Sequence, residues 1–257
     1  SIYILAGNVY NWQVQHNVLH HTYTNIPEHD EDLDAGRILR FSKHADWKKY
    51  HKFQHLYSVL LYGLLTFNWA ITTDFQQMYR YTKRKLSYGK LPNPVLNWTK
   101  LLITKIIYVT IWIAIPMIFL EVAWYKILIG FFVMHYVAGL ILSVVFQLAH
   151  IIDHADTPVP NEQGDMKNTW AIHQLFTTVN FGTKNRIINW FTGGLNHQVE
   201  HHLYSNISHI HYKKIAKIVK ETAQEFSLPY NEYKTMGKAI IEHYNQLNYL
   251  GKKPQIA

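Results

Sequence analysis

The chain has 257 residues, no cysteine, 17 histidines and a formal charge of +8. Disulfides, thiolate nucleophiles and thiolate metal ligands are thereby excluded, so a bound metal must be held by nitrogen and oxygen. The basic balance suits nucleic acid or an anionic membrane surface, and 18 Tyr with 8 Trp favour the membrane interface.

The first element is "QHNVLHHTYTN", 15–25, with His16, His20 and His21 in six positions. Residues four apart share a face of an α-helix, so His16 and His20 can serve one metal. His21, turned about 100° away, can reach a second. The acidic stretch "PEHDEDLD" follows with Glu28, Asp30, Glu31, Asp32 and Asp34. A carboxylate that accepts the outer ring N–H of a ligating histidine fixes its tautomer, which makes Asp30 and Asp32 candidate supports. The sixteen residues 56–71, interrupted by Gly63 and Asn68, are short for a span and predict a helix lying in the membrane interface.

Two long apolar runs come next, 101–120 and 125–148, joined by "EVAW". The first has one charge, Lys105; at about 1.5 Å per residue each run reaches roughly one bilayer core, and both are apolar on every face. They predict a transmembrane hairpin. Lysine and arginine gather on both flanks, among them Arg37, Arg40, Lys83, Arg84, Lys213 and Lys217, so both flanks are expected to face the cytoplasm. No nucleic-acid-binding motif accompanies these basic stretches. His150 and His154 follow the second run, and an ionisable group at that depth is a functional candidate by default.

A second histidine box, "NHQVEHHLYSN" at 196–206, places Gln198, His201 and His202 at i, i+3 and i+4, with His197 beside them. Two spans would return the chain to its starting face and unite the boxes in one site. Six or more histidines exceed the four ligands of a zinc site and argue for two metals, with iron, zinc and copper all compatible. Stretches 211–226 and 232–247 predict amphipathic helices that close the domain. His243, on the last of these, is expected at the surface and tolerant of replacement; mid-span His135 is expected to hydrogen-bond within the bundle.

"HNVLHHTYTN" resembles the second histidine box of membrane fatty acid desaturases, and "NHQVEHHLYSNISH" the Gln-x-x-His-His third box of the front-end and linoleoyl-CoA-type branch. "GNVYNWQ", "DAGR", "QLAH" and "TGGLNHQVEHH" extend the resemblance over the chain, nearest to bacterial acyl-CoA desaturases. It implies an all-α integral membrane fold, a helical hairpin with a cytoplasmic helical cap holding a dimetal site, in one desaturase domain over 1–257. It implies two iron ions held by His16, His20, His21, His150, Gln198, His201 and His202, with Asp30, Asp32, His154 and His197 behind them. The activity implied is oxygen-dependent insertion of a cis double bond into an acyl-CoA or acyl-lipid chain. A hydroxylase or ketolase on the same scaffold, and a membrane metal-binding protein without activity, are the alternatives. The family's first box and earlier hairpin are missing, as expected of a fragment that opens on Ser1. The Leu-Phe-Pro usual after the third box is Leu203-Tyr204-Ser205 here. Without a cytochrome b5-like segment, electrons are expected from a separate ferredoxin or cytochrome b5-type donor. The segment 168–182 is expected to line an acyl tunnel.

Overall fold

The structure, a computed structural model, describes residues 2–33, 37–89 and 93–254, so Asp34 and most of the "DAGR" motif lie outside the described residues. In chain order the helices are α1 (Val9–Trp12), a π-helical stretch Gln13–His20, α2 (His21–Tyr23), α3 (Gln54–Tyr62), α4 (Leu65–Asn68) and α5 (Asp74–Arg84). There follow α6 (Pro94–Val109), α7 (Ile115–Phe119), α8 (Trp124–His150), α9 (Trp170–Thr177), α10 (Arg186–Phe191), α11 (Gln198–Leu203), α12 (Tyr212–Glu225) and α13 (Met236–Gly251). The strands among the described residues are β1 (Asn180–Phe181) and β2 (Glu232–Tyr233), paired in parallel. The fold is all-α, and its compact units are residues 1–19 with 59–143, and 20–58 with 144–257.

In the first unit the apolar helix runs Pro94–Phe119, through a π-helical turn at Thr110–Ala114. It begins seven residues before the predicted start at 101 because Asn93 caps it, accepting from the Leu96 N–H at 3.0 Å, and Pro94 supplies a preset φ at the first turn. Lys105 therefore lies well inside the helix. Its ammonium contacts Asp74 Oδ2 at 2.7 Å and the carbonyls of Ala6 and Trp69 at 2.6 and 2.7 Å. A buried charge persists only when paired and hydrogen-bonded in this way. His135 bonds Tyr108 Oη at 2.7 Å and Thr66 Oγ1 at 2.9 Å, the bundle role expected of it.

The long helix α8 and Pro94–Phe119 are the two helices of spanning length and composition among the described residues. Ile106, Ile118, Phe119 and Ile129 are each more than half exposed, the apolar surface that a bilayer would cover. The predicted interfacial stretch 56–71 falls across a break instead of one helix: Lys49–Tyr62 and Leu65–Arg84 meet at a 64° bend and would together be long enough for a third span. The break is at Gly63, and a side chain on Gly139 would sit 2.6 Å from the Gly63 carbonyl. Gly139 needs glycine because the backbones approach so closely, and a side chain on Gly63 would strike the Tyr136 ring.

The second unit has its apolar core in Val145, Leu148, Ile152, Val179, Phe181 and Ala239, with Leu175, Val199, Val219 and Ala223 in a further cluster. α12 and α13 match the amphipathic stretches expected, except that 232–233 pair with β1 and α13 starts only after the Thr235 cap. His243 corrects the sequence reading. It is 6% exposed, and its Nδ1 lies 2.6 Å from the Ile151 carbonyl, one residue past the end of α8. α13 turns this face inward, a fact that its own periodicity leaves ambiguous. Burial pushes the His243 ring down to about 4.

Candidate metal centre

The first box is wound differently from expectation. Gln13–His20 is π-helical, closing i→i+5 rings and turning by roughly 80° per residue instead of about 100°. His16 thus falls one turn before both His20 and His21 rather than in line with His20 alone. It is buried and stacks on the Trp12 ring at 4.8 Å.

Within the second unit, His20, His150 and His202 each bring one ring nitrogen within 4.8 Å of the others, and all three side chains are buried. They come from the end of the π-helical stretch, the last residue of α8 and the last turn of α11, 182 positions apart in the chain at most. The His21 ring stacks on His202 at 4.4 Å and meets His201 edge-on at 4.7 Å. Four box histidines and His150 are therefore gathered.

Asp30 grips His20: its two oxygens lie 3.0 and 3.1 Å from Nδ1, and Asp32 Oδ2 is at 3.3 Å. The Asp30 carboxylate is itself aimed by the backbone N–H groups of Asn25 at 2.8 Å and Asp32 at 2.9 Å. Burial disfavours charge on His20, but Asp30 and Asp32 overcome it and hold the ring up to about 9. Against burial, the same pairing draws the Asp30 carboxyl below its usual range. The other rings move the opposite way. Burial, then the neighbouring histidines, press His21 down to about 2 and His201 to about 4, and His202 well below the ordinary imidazole value. Neutral imidazoles are the form that ligates metal.

The remaining candidates are distributed as follows. Gln198 is 1% exposed at the head of α11. His197, its N-cap, is buried with Nδ1 3.6 Å from Glu200 Oε2. The turn that delivers them contains Gly194 at φ +80°, where a side chain would strike His209 at 2.7 Å. His154, expected behind a ligand, is instead at the surface beside Asp153 at 3.4 Å. α8 ends at His150, so the four-residue spacing no longer places His154 on a shared face; its φ is +69°.

The donor set fits a metal ion. Nε2 of His150, Nε2 of His202 and Oε1 of Gln198 are buried with no hydrogen-bond partner among the described residues. Leaving such groups unsatisfied costs about 1–3 kcal/mol each, and a cation would remove that cost. Sequence reasoning missed several supports. Asn25 shares its amide N–H groups among the carbonyls of His150, Asp156 and Thr177 at 3.0, 3.0 and 3.2 Å. Glu200, fully buried, accepts from Asn180 at 2.9 Å and Tyr230 at 2.8 Å. His173, Gln174 and Thr177, placed in the expected tunnel lining, are buried and bonded to the box segments. Polar residues just past a histidine box were the signal available for Thr24 and Asn25.

An all-helical protein with helices long and apolar enough to span a membrane and a buried histidine cluster able to hold metal is the class that fold and site define. The sequence profile of the fatty acid desaturase family matches residues 2–234, and the chain belongs to that family. It is 36% identical to the sn-1 linoleoyl-lipid 6-desaturase of Arthrospira platensis, over 96% of this chain and 66% of that protein. It is 36% identical to the protein of the same name from Synechocystis sp., over 94% of this chain and 67% of the relative. With the acyl-lipid (8-3)-desaturase of Mortierella alpina it shares 31% identity, over 95% of this chain and 54% of that one. The chain thus spans between about half and two thirds of the curated relatives it matches. These relatives are desaturases and hence oxidoreductases. No solved structure matches the chain.

Proposed function

We propose that the protein is an oxygen-dependent desaturase of lipid-bound fatty acyl chains, the present chain forming most of one desaturase domain. The observation that carries the reading is the buried group His20, His150 and His202, with ring nitrogens of His150 and His202 that have no hydrogen-bond partner among the described residues, in a chain of this family. Names of the relatives, linoleoyl-lipid and acyl-lipid desaturases, favour a lipid-bound substrate over an acyl-CoA.

Two iron ions would be held by His16, His20, His21, His150, Gln198, His201 and His202. Bound iron supplies the dioxygen activation and hydrogen abstraction that no side chain can perform on an unactivated methylene. Overall, the acyl chain loses two hydrogens, dioxygen accepts four electrons and four protons, and two waters leave. Two of those electrons come from the substrate and two from a redox partner of ferredoxin or cytochrome b5 type. The exposed lysines 213, 214, 217 and 220 on and beside α12 offer an acidic partner a basic face.

The chain's own residues orient and insulate. Asp30 and Asp32 hold a proton on His20 Nδ1, so a metal bound at Nε2 would displace only the second proton of the ring. Asn25 ties the His150 backbone to the segment behind the first box. Burial of the rings keeps bulk water from a reaction whose intermediates it would quench. Both boxes share the cytoplasmic face in this reading, because the spans Pro94–Phe119 and Trp124–His150 return the chain to its starting side and the bent pair Lys49–Tyr62 and Leu65–Arg84 enters and leaves by one face.

The test is expression of the full protein in a host without polyunsaturated lipids, followed by mass spectrometry of its acyl chains. New chains about two mass units lighter support desaturation; chains about sixteen heavier would establish a hydroxylase instead. No oxygen-dependent product with a competent donor present would refute an enzymatic role.

A further inference from the structure

Asp30 explains how the His20 ring is held, but among the described residues His202 has no carboxylate against its outer nitrogen. Its Nδ1 faces the side-chain oxygen of Gln174 at 2.9 Å, with Thr24 Oγ1 farther away at 3.2 Å. Gln174 is completely buried on α9.

We infer that Gln174 is a positioning residue which holds His202 in the Nδ1–H tautomer and so presents its Nε2 lone pair to a metal. This rests on the metal-centre reading above.

A glutamine amide can face either way, and its two orientations demand opposite tautomers. With oxygen toward His202, Nδ1 must carry the proton; with nitrogen toward it, Nδ1 must accept and Nε2 would be protonated and unable to ligate. The surroundings choose. Gln174 Nε2 lies 3.4 Å from the His21 carbonyl, to which it donates. Reversal would set the amide oxygen against that carbonyl oxygen. On the other side the Thr24 hydroxyl lies 2.9 Å from Gln174 Oε1 and 2.7 Å from the His20 carbonyl, with one proton to share between the two oxygens. Gln174 is further held from its own backbone, whose carbonyl accepts from Thr178 Oγ1 at 2.6 Å. One amide thereby touches the backbone of His21 and the ring of His202, the two rings that stack at 4.4 Å.

The consequence is an uneven centre. His20 is backed by anionic carboxylates and His202 by a neutral amide, so the two imidazoles differ in basicity as ligands. The buried, unpartnered Nε2 of His202 is the atom this tautomer leaves open.

The experiment uses the full protein labelled with ¹⁵N-histidine, with His202 assigned by the signal lost in His202→Ala. In the metal-free protein His202 should be neutral with the proton on Nδ1. Gln174→Leu should leave only the longer Thr24 contact, give mixed tautomers and weaken ferrous-ion binding 10–100-fold. Gln174→Glu keeps an acceptor toward His202 and should keep the Nδ1–H signal, with ferrous binding retained well above that of Gln174→Leu; this variant also guards against misfolding of Gln174→Leu. An Nε2–H signal in the unaltered protein would overturn the assignment, as would a folded Gln174→Leu protein with unchanged tautomer and affinity. Unaltered protein that binds no ferrous ion, yet shows the Nδ1–H signal, would refute the metal centre and with it this role. That outcome is distinct from a wrong tautomer.

Discussion

Replacing Asp30 with Asn tests how the first box is held. The carboxylate of Asp30 serves His20 Nδ1 with both oxygens at 3.0 and 3.1 Å, and receives the N–H groups of Asn25 and Asp32. These are three donors, and the carboxylate meets them all with acceptors. An amide has one acceptor oxygen, so its NH₂ must oppose either the imidazole N–H or a backbone N–H. Hydrogen bonds to a charged group contribute about 1.5–3 kcal/mol, and one of them is lost with no water able to replace it at 2% exposure. If that cost falls on the ligand orientation, metal affinity drops by about 10–100-fold, since each factor of ten is about 1.4 kcal/mol. The assay is equilibrium titration of the full protein with ferrous ion, the apoprotein's secondary structure being checked by circular dichroism. Unchanged affinity in folded Asp30→Asn protein would show that the carboxylate does not orient His20.

Three further predictions follow from single contacts. His202→Ala should abolish metal binding while His154→Ala leaves it within about twofold, because His154 lies at the surface; metal content of purified proteins decides, and equal loss in both would contradict the placement. His243→Ala should destabilise by roughly 3 kcal/mol, from a buried cavity and an orphaned Ile151 carbonyl, read as a lowered unfolding midpoint in detergent. The same ring has a folded value near 4, below the 6.5 of an unfolded chain, so the unfolded state binds the extra proton between those limits. Its contribution is full above about pH 6.5, falls by about 3 kcal/mol as pH drops to 4, and the His243→Ala protein should lack that slope. Gly139→Ala would press a methyl to 2.6 Å from the Gly63 carbonyl, so it should cost about 1–3 kcal/mol, and an unchanged midpoint would deny the close helix approach.

Sequence alone determined the elements that depend on local pattern. Runs of twenty or more mostly apolar residues leave a helix no polar face to hide, so both long helices were legible, as were α12 and α13 from their periodicity. The box histidines were legible because several donors of one kind at helical spacing rarely arise without use. What depends on winding or on distant partners was not. The π-helical turn at Gln13–His20, which changes how His16 aligns with His20 and His21, leaves no composition signature because π and α turns accept the same residues. The position of Lys105 within its helix followed from a cap at Asn93 that hydropathy does not register, and its burial from Asp74, 31 residues earlier. His154 kept the right spacing but lost its face where α8 ended; His243 looked external until α13 packed against the chain after α8. Gln174 and Glu200 acquired their roles only from contacts 28 and 30 residues away, with His202 and Tyr230. A hydrogen bond is short and directional, so which amide meets which imidazole is decided by tertiary placement to within a fraction of an ångström, whereas hydrophobic period is averaged over many residues and survives in the sequence itself.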